Sequence, residues 1–483
     1  MKLFHCTALA LALVAAFPAL AQSNAEVMKE LQALKDKVAE LEGKLKAQEA
    51  RATAAAGGAG GAGGAGGGAG AAGAAPWGMT PDQTRELNRT TMKAEATEDA
   101  MESQGLKMLK FSGYMDPTYF YNQRQNRAGF QFLNPVAVDG YHYDNSYFGT
   151  VSLDFQKEME GGTKWRLTLV PNRGTGSVIG ESSIVHEASV SIPVGDLQTR
   201  IIAGQLPEWS GYEYLQPTLN KLITHNLLFD FTLPTAYTGA GMELQRDKWL
   251  IKWALNNMNT SKRQSGETAP AFAYRVDYAK GEFNGFGFAG VHGKAANFRA
   301  AGVNPVTSAA YNPADTRVDL FEVDGYFIRG DWTVQGQLSY GRQQGTAITA
   351  DPVSGDLRDA RWYGASALAA YKFMPRWEVI GRVDYLNNSK NGGGLLGYTV
   401  ADSRNGIGPA YGGNATIDPN LDPNKGANRT ALSMGLGWLY NVNTTFKAEA
   451  RYDSANLPVF FDLKTGEYRK SNTVFGSSVV VSF

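Results

Sequence analysis

Phe475-Gly-Ser-Ser-Val-Val-Val-Ser-Phe483 closes the chain, and segments of similar length and alternation recur behind it. Alternation with period two puts every second side chain on one face of a strand, and about ten residues is the length a tilted strand needs to cross a bilayer. Trp332, Val334, Leu338 and Tyr340 alternate with Thr333, Gln335, Gln337 and Ser339. Trp249, Ile251, Trp253 and Leu255 alternate with Lys252 and Asn256. Trp377, Val379, Val383 and Tyr385 oppose Glu378, Arg382 and Asp384, and Phe446, Ala448, Ala450 and Tyr452 oppose Lys447, Glu449, Arg451 and Asp453. The aromatic rows are expected to face lipid, with Trp and Tyr at headgroup depth. The fold class that follows is all-β, a transmembrane antiparallel β-barrel.

From residue 107 to 483 the pattern predicts sixteen strands whose connections alternate short and long. The short ones include Gly195-Asp196, Asp247-Lys248 and Arg329-Gly330-Asp331; the long ones span roughly 123–144, 172–182, 207–235, 258–270, 294–315, 344–359, 388–428 and 454–471. An even strand number with segregated loops puts both termini on the periplasmic side and the long loops outside. A soluble β-sandwich has no reason to segregate its loops in this way.

The N-terminal quarter has a different organisation. Met1-Lys2-Leu3, the apolar run Ala8 to Ala16 and Ala19-Leu20-Ala21 predict a signal peptide over 1–21. No later run reaches the ~18 apolar residues of a membrane helix. Over 22–51, Val27, Leu31, Leu34, Val38, Leu41 and Leu45 recur at spacings of 4, 3, 4, 3 and 4, the seam of a short coiled coil. Opposite charges at Glu30/Lys35 and Lys37/Glu42 favour parallel association, and a solvated amphipathic helix is the plain alternative. Residues 52–79 are a Gly/Ala-rich tether. Gly58-Ala-Gly60-Gly-Ala-Gly63 inside it follows no strand and is no nucleotide site. Thr80-Pro81-Asp82-Gln83 opens a short helical segment over 80–106, and Gly105 stops it.

Lysine and arginine balance aspartate and glutamate at 46 each, so there is no basic field for nucleic acid. The only cysteine, Cys6, leaves with the signal peptide, which removes disulfides and cysteine metal sites. Asp418-Pro-Asn420-Leu-Asp422-Pro-Asn424 has alternate oxygen ligands, but Pro423 stands where a calcium loop needs Gly, so a stiffened turn is expected there. His186 and Ser189 are the only His–Ser neighbours on a strand; three residues apart they fall on opposite faces unless a bulge intervenes, and no catalytic motif accompanies them. No enzyme, metal or cofactor is expected.

Charge at membrane depth persists only where it meets water or a partner, so the inward rows imply a hydrated lumen. Its expected lining is Lys164, Arg166, Lys252, Arg275, Arg382, Lys447 and Arg451 against Glu187, Glu243, Asp277, Glu322, Asp324, Glu378, Asp384, Glu449 and Asp453. The 207–235 connection, after the fifth strand, is unusually rich in packing residues: Pro207-Glu208-Trp209-Ser210-Gly211-Tyr212-Glu213-Tyr214-Leu215, then Lys221, His225, Asp230 and Phe231. It must pack against something, either inside the barrel or over its mouth or a neighbouring subunit.

The 27–45 heptads, Lys110-Phe-Ser-Gly-Tyr-Met-Asp116, Glu187-Ala-Ser-Val, Ala203-Gly-Gln-Leu-Pro207 and terminal Phe483 together resemble proteobacterial sixteen-stranded outer-membrane porins. The nearer likeness is to the phosphate-selective porin O and P type and related porin-like families with an N-terminal coiled coil. The resemblance implies a homotrimer in outer-membrane lipid and lipopolysaccharide, passing small polar solutes through water, with its N-terminal segment in the periplasm. It further implies that Phe483 is read by the barrel-assembly machinery, and that the third loop sets the constriction, with Glu208, Glu213, Lys221 and Asp230 as its candidate charges. The mixed lining departs from the arginine ladder of anion-selective members. The alternative is a structural anchor or periplasmic tether whose lumen is plugged.

Overall fold

The computed structural model describes residues 89–93, 96, 105–132, 149–170, 184–234, 236–258, 270–279, 283–296, 302–311, 315–347, 350–351, 353–388 and 426–483. The signal peptide, the coiled-coil seam, the Gly/Ala tether and most of the 388–428 loop lie outside these residues. Residues 89–93 and 96, within the expected 80–106 segment, are helical. The chain divides into two units, Met1–Ala94 and Glu95–Phe483. The strands belong to the second.

The strands are β1 (Leu109–Met115), β2 (Thr118–Asn122), β3 (Arg127–Gln131), β4 (Val151–Glu158), β5 (Lys164–Leu169), β6 (Val185–Val194), β7 (Asp196–Pro207), β8 (Ala236–Arg246), β9 (Trp249–Met258) and β10 (Ala271–Ala279). They continue as β11 (Asn284–Ala296), β12 (Asp315–Arg329), β13 (Trp332–Gln343), β14 (Ala360–Met374), β15 (Trp377–Asn387), β16 (Arg429–Asn441), β17 (Thr444–Ala455), β18 (Phe460–Asp462), β19 (Glu467–Arg469) and β20 (Ser471–Ser482). One helix, α1 (Leu227–Thr232), lies between β7 and β8.

Every pairing is antiparallel, and all strands but β18 and β19 form one sheet of 18 segments. Pro117 has no N–H to give to the ladder, so the first strand breaks into β1 and β2, which pair with β4 and β3 along the same edge. Counting β1 with β2, and β3 with β4, leaves sixteen staves, the number the alternation predicts. The barrel closes where β20 meets β1 and β2. There Gly113 and Phe483 exchange two main-chain hydrogen bonds of 3.1 Å, and the Phe483 ring lies 5.4 Å from Phe111. Closure satisfies both edges of the sheet, which an open sheet in lipid could not do.

The outward rows are exposed and apolar, as at Leu338, Val383, Leu432 and Tyr452. Aromatic pairs gather at the short-turn rim: Trp377 stacks on Trp438 at 5.2 Å, Trp332 lies 4.7 Å from Tyr371, and Trp249 lies 4.7 Å from Tyr278. On the opposite rim two long connections carry strands that the alternation had hidden, β3, which pairs with β2, and the β18–β19 hairpin. Arg124 joins them through Asp462 at 2.7 Å.

Candidate functional site

The connection between Pro207 and Ala236 enters the barrel and lies along the inner face of β13 to β17. Asn226 caps α1 by accepting the Phe229 N–H at 2.8 Å, and Thr232 Oγ1 donates back to Leu228 O at 2.7 Å. The short helix turns Leu227, Leu228 and Phe231, all fully buried, onto Trp362, Leu386, Leu320 and Met258 near the long-loop rim. Burial of each such side chain is worth about 1.5–3 kcal/mol. The lumen expected to be hydrated and narrowed by this connection therefore also contains an apolar core, because the connection brings in hydrophobic surface that packs on the wall.

The wall makes room for it. An added Cβ at Gly364 would collide with Leu228 Cδ2, and one at Gly435 with Leu222 Cδ2. Both glycines sit in strand interiors where another segment passes close.

Below α1 the loop is sewn to β15, β16 and β17 by charged groups. Glu449 accepts the Ile223 N–H (2.8 Å), the Thr224 N–H (2.8 Å) and the Thr224 hydroxyl (2.7 Å). Arg382 donates to Thr224 O at 2.7 Å, His225 O at 2.9 Å and Glu213 Oε1 at 2.8 Å, and reaches Asp384 at 3.1 Å. Arg451 donates to His225 O at 2.7 Å and pairs with Asp453. Ser366 Oγ gives its proton to Asp384 at 2.7 Å, so Tyr212 is the donor in its 2.6 Å bond to Ser366. Lys447 donates to Pro217 O (2.5 Å) and Asn220 O (2.7 Å), and Lys221 pairs with Glu378 at 2.7 Å. Arg429, which the sequence reading passed over, lies between the Phe231 and Phe460 rings at 5.3 and 5.0 Å and pairs with Asp453 at 2.8 Å.

Arg382, Asp384, Lys447, Glu449, Arg451 and Asp453 thus point inward, as the alternation requires, but they are buried beneath the loop rather than bathed in a channel. The four loop charges are likewise engaged or enclosed. Glu213 is held by Arg382 and by the Asn226 N–H at 2.6 Å, Lys221 by Glu378, and Asp230 is buried on α1. Glu208 accepts the Ser210 N–H at 2.6 Å; burial pushes its carboxyl up to about 8, against the pull of that N–H and of Arg275. Burial pushes the His225 imidazole down to about 3, so the neutral ring stacks on Phe229 at 4.1 Å while its Nε2–H donates to Tyr214 O at 2.9 Å.

The opposite wall keeps open space. A cavity of about 540 Å³ runs between the loop and β5 to β13, from Phe229 and Leu233 to Leu250, Ala279 and Tyr326 near the short-turn rim. A second hollow of about 320 Å³ shares Arg166, Glu187 and Lys252 with it. Arg166 stands between Asp154 (2.8 Å) and Glu187 (3.3 Å), and Lys252 meets Glu243 at 3.1 Å. Arg275 meets Asp277 at 2.6 Å and forks onto Asp324, 2.9 Å for one of the two contacts. Lys164 pairs with Glu158 at 3.3 Å, and Glu322 is fully buried near Glu208. Asp154 was missed although Val151, Leu153 and Phe155 alternate with Ser152, Asp154 and Gln156 as plainly as the rows that were read. The β5–β6 register shifts between Thr168 and Leu169, and Ser189 gives its hydroxyl to Glu187 at 2.7 Å.

The family model described as "Protein of unknown function (DUF3138)" matches residues 1–483. No curated protein matches the chain. Among solved structures, the outer membrane channel DcaP of Acinetobacter baumannii is similar at 9% identity and a TM-score of 0.49, over 78% of this chain and 97% of that one. Salmonella typhi OmpF in complex with daunomycin is similar at 11% identity and a TM-score of 0.48, over 78% and 97%. A loop L8 deletion mutant of OmpT, an outer membrane protein of Vibrio cholerae, is similar at 10% identity and a TM-score of 0.47, over 78% and 99%. At these values the likeness says nothing about what the chain passes or binds.

Proposed function

The chain belongs to the DUF3138 family of proteins of unknown function, and from its geometry we propose that it is an outer-membrane channel for small polar or charged solutes. One observation carries this reading: a cavity of about 540 Å³, lined on one side by ion pairs, runs beside the inward loop toward the short-turn rim. Ion pairs at membrane depth are stable next to water, and mixed signs let ions of either charge enter. The loop narrows the lumen by occupying the half against β13–β17. The reading assigns no catalysis and no cofactor. On this reading the 27–45 seam associates copies in parallel in the periplasm without itself setting their number, the porin resemblance implies three, and the outward belt meets outer-membrane lipid and lipopolysaccharide.

The second reading, a barrel anchor with a plugged lumen, is favoured by the apolar core of Leu228, Phe231, Trp362 and Phe460 across the long-loop half. Recordings in planar bilayers separate the two. Asn220 Oδ1 accepts the Tyr214 N–H at 2.9 Å, so the ends of the loop tip are adjacent and Leu215–Leu219 can be replaced by two glycines. A channel shows conductance steps that grow in this variant. A folded protein that gives no steps in either form is an anchor.

A further inference from the structure

The cavity has two unlike sides. On the loop side Tyr214 and Leu219 are 52% and 58% exposed and line the cavity. Trp209 and Phe229 extend the same side. Across from them, one guanidinium, Arg275, is shared by two carboxylates, Asp277 and Asp324, which leaves one negative charge in excess. Tyr214 and the Arg275–Asp277–Asp324 group line the same cavity, so the ring and the triad face the same space. Arg275 is 11% exposed and has donors committed to both partners, whereas Asp277 is 33% exposed and keeps acceptor capacity toward the cavity.

We propose that this cavity binds small organic cations that carry an aromatic or apolar body. The ammonium or guanidinium group sits at Asp277 beside the Tyr214 ring, where carboxylate attraction and cation–π attraction act together. The body lies along Leu219, Phe229 and Trp209, covering apolar surface that otherwise meets water. Inorganic cations gain only the first of these terms, and organic anions meet the excess carboxylate. This names the solute class of the channel and rests on that reading for passage, though not for binding.

The probes are phenethylammonium, its anionic counterpart phenylacetate, and methylammonium, titrated calorimetrically into the full chain in detergent micelles. Phenethylammonium is expected to bind at least tenfold more tightly than either of the others. Asp277→Asn, at a half-buried position, and Tyr214→Ser, at an exposed one, are each expected to weaken it about tenfold while the heat-modifiable barrel is retained. Phenylacetate binding as tightly as phenethylammonium, or affinity unchanged in both variants, overturns the proposal. Bilayer currents are recorded on the same preparation. Block of potassium current by phenethylammonium supports passage through the site, whereas binding without any conductance refutes the channel and leaves the site standing.

Discussion

Glu449→Ala removes the acceptor that holds the inward loop by its backbone. Two buried main-chain donors, Ile223 N and Thr224 N, lose bonds of 2.8 Å, and the Thr224 hydroxyl loses one of 2.7 Å. A buried donor left without a partner costs about 1–3 kcal/mol, so the two N–H groups put the loss at about 2–6 kcal/mol. Charge balance adds little. Arg382, Arg429 and Arg451 face Glu213, Asp384, Glu449 and Asp453, and removing one carboxylate leaves three against three. At about 1.4 kcal/mol per tenfold, even the low end raises the undocked population roughly thirtyfold. Trypsin reads that population. Lys221 is paired with Glu378 and followed by buried Leu222, so the bond after it is protected until the loop leaves the wall. Where reclosing is faster than cutting, the rate follows the open fraction. Cleavage after Lys221 in the variant should be at least about thirtyfold faster than in wild type, with Glu449→Gln, which keeps an acceptor oxygen, in between. Equal cleavage rates in all three proteins, each still heat-modifiable, would refute the claim that Glu449 docks the loop.

Glu208 gives a pH prediction. Its folded-state value of about 8, above the ordinary carboxyl value of about 4.5, means that between these values the folded chain holds a proton that the unfolded chain has released; the contribution of this group to stability is therefore full below about 4.5 and is lost as pH rises through about 8, by at most about 1.4 kcal/mol per pH unit. Glu208→Gln should flatten the fall in heat-conversion temperature between pH 5 and 8, and parallel profiles for variant and wild type would count against it. Deleting Phe483 removes two hydrogen bonds at the closing seam and a ring against Phe111, so the heat-modifiable fraction in outer membranes should drop; wild-type levels would show that closure does not need it. Leu34→Asp with Leu41→Asp places charge in the heptad seam and should abolish self-association of a 22–51 peptide. An unchanged sedimentation profile would remove that seam.

The barrel was legible because its signal is local. Side-chain direction in a strand repeats every two residues, so Trp332 to Tyr340 and Phe446 to Asp453 declare their faces without knowledge of any neighbour, and sixteen such runs with alternating short and long connections fix both count and closure. The aromatic content of 207–235 also told that this connection packs against something. The breaks told less: Pro117 splits the first strand, and β3, β18 and β19 fall in stretches that read as plain loop, because five- and three-residue strands carry too few alternations to stand out.

Where that connection packs, only the tertiary structure decided. An inward charge looks the same in sequence whether it meets water or a docked segment, so Arg382 and Arg451 read like Arg166 and Arg275. The difference is whether Thr224 and His225, more than 150 residues away in the chain, bring their carbonyls to within 3 Å. A weak trace existed: the inward positions of β14 and β16 include Ala360, Gly364, Ser366, Ala370, Ala431, Ser433, Gly435 and Gly437, small residues that leave room for another layer. Sequence alone determined a sixteen-staved wall that is apolar outside and charged inside, since that follows from the period of a strand. The fold alone determined which inward charges are sealed and which line a cavity, since that depends on contacts between segments remote in sequence.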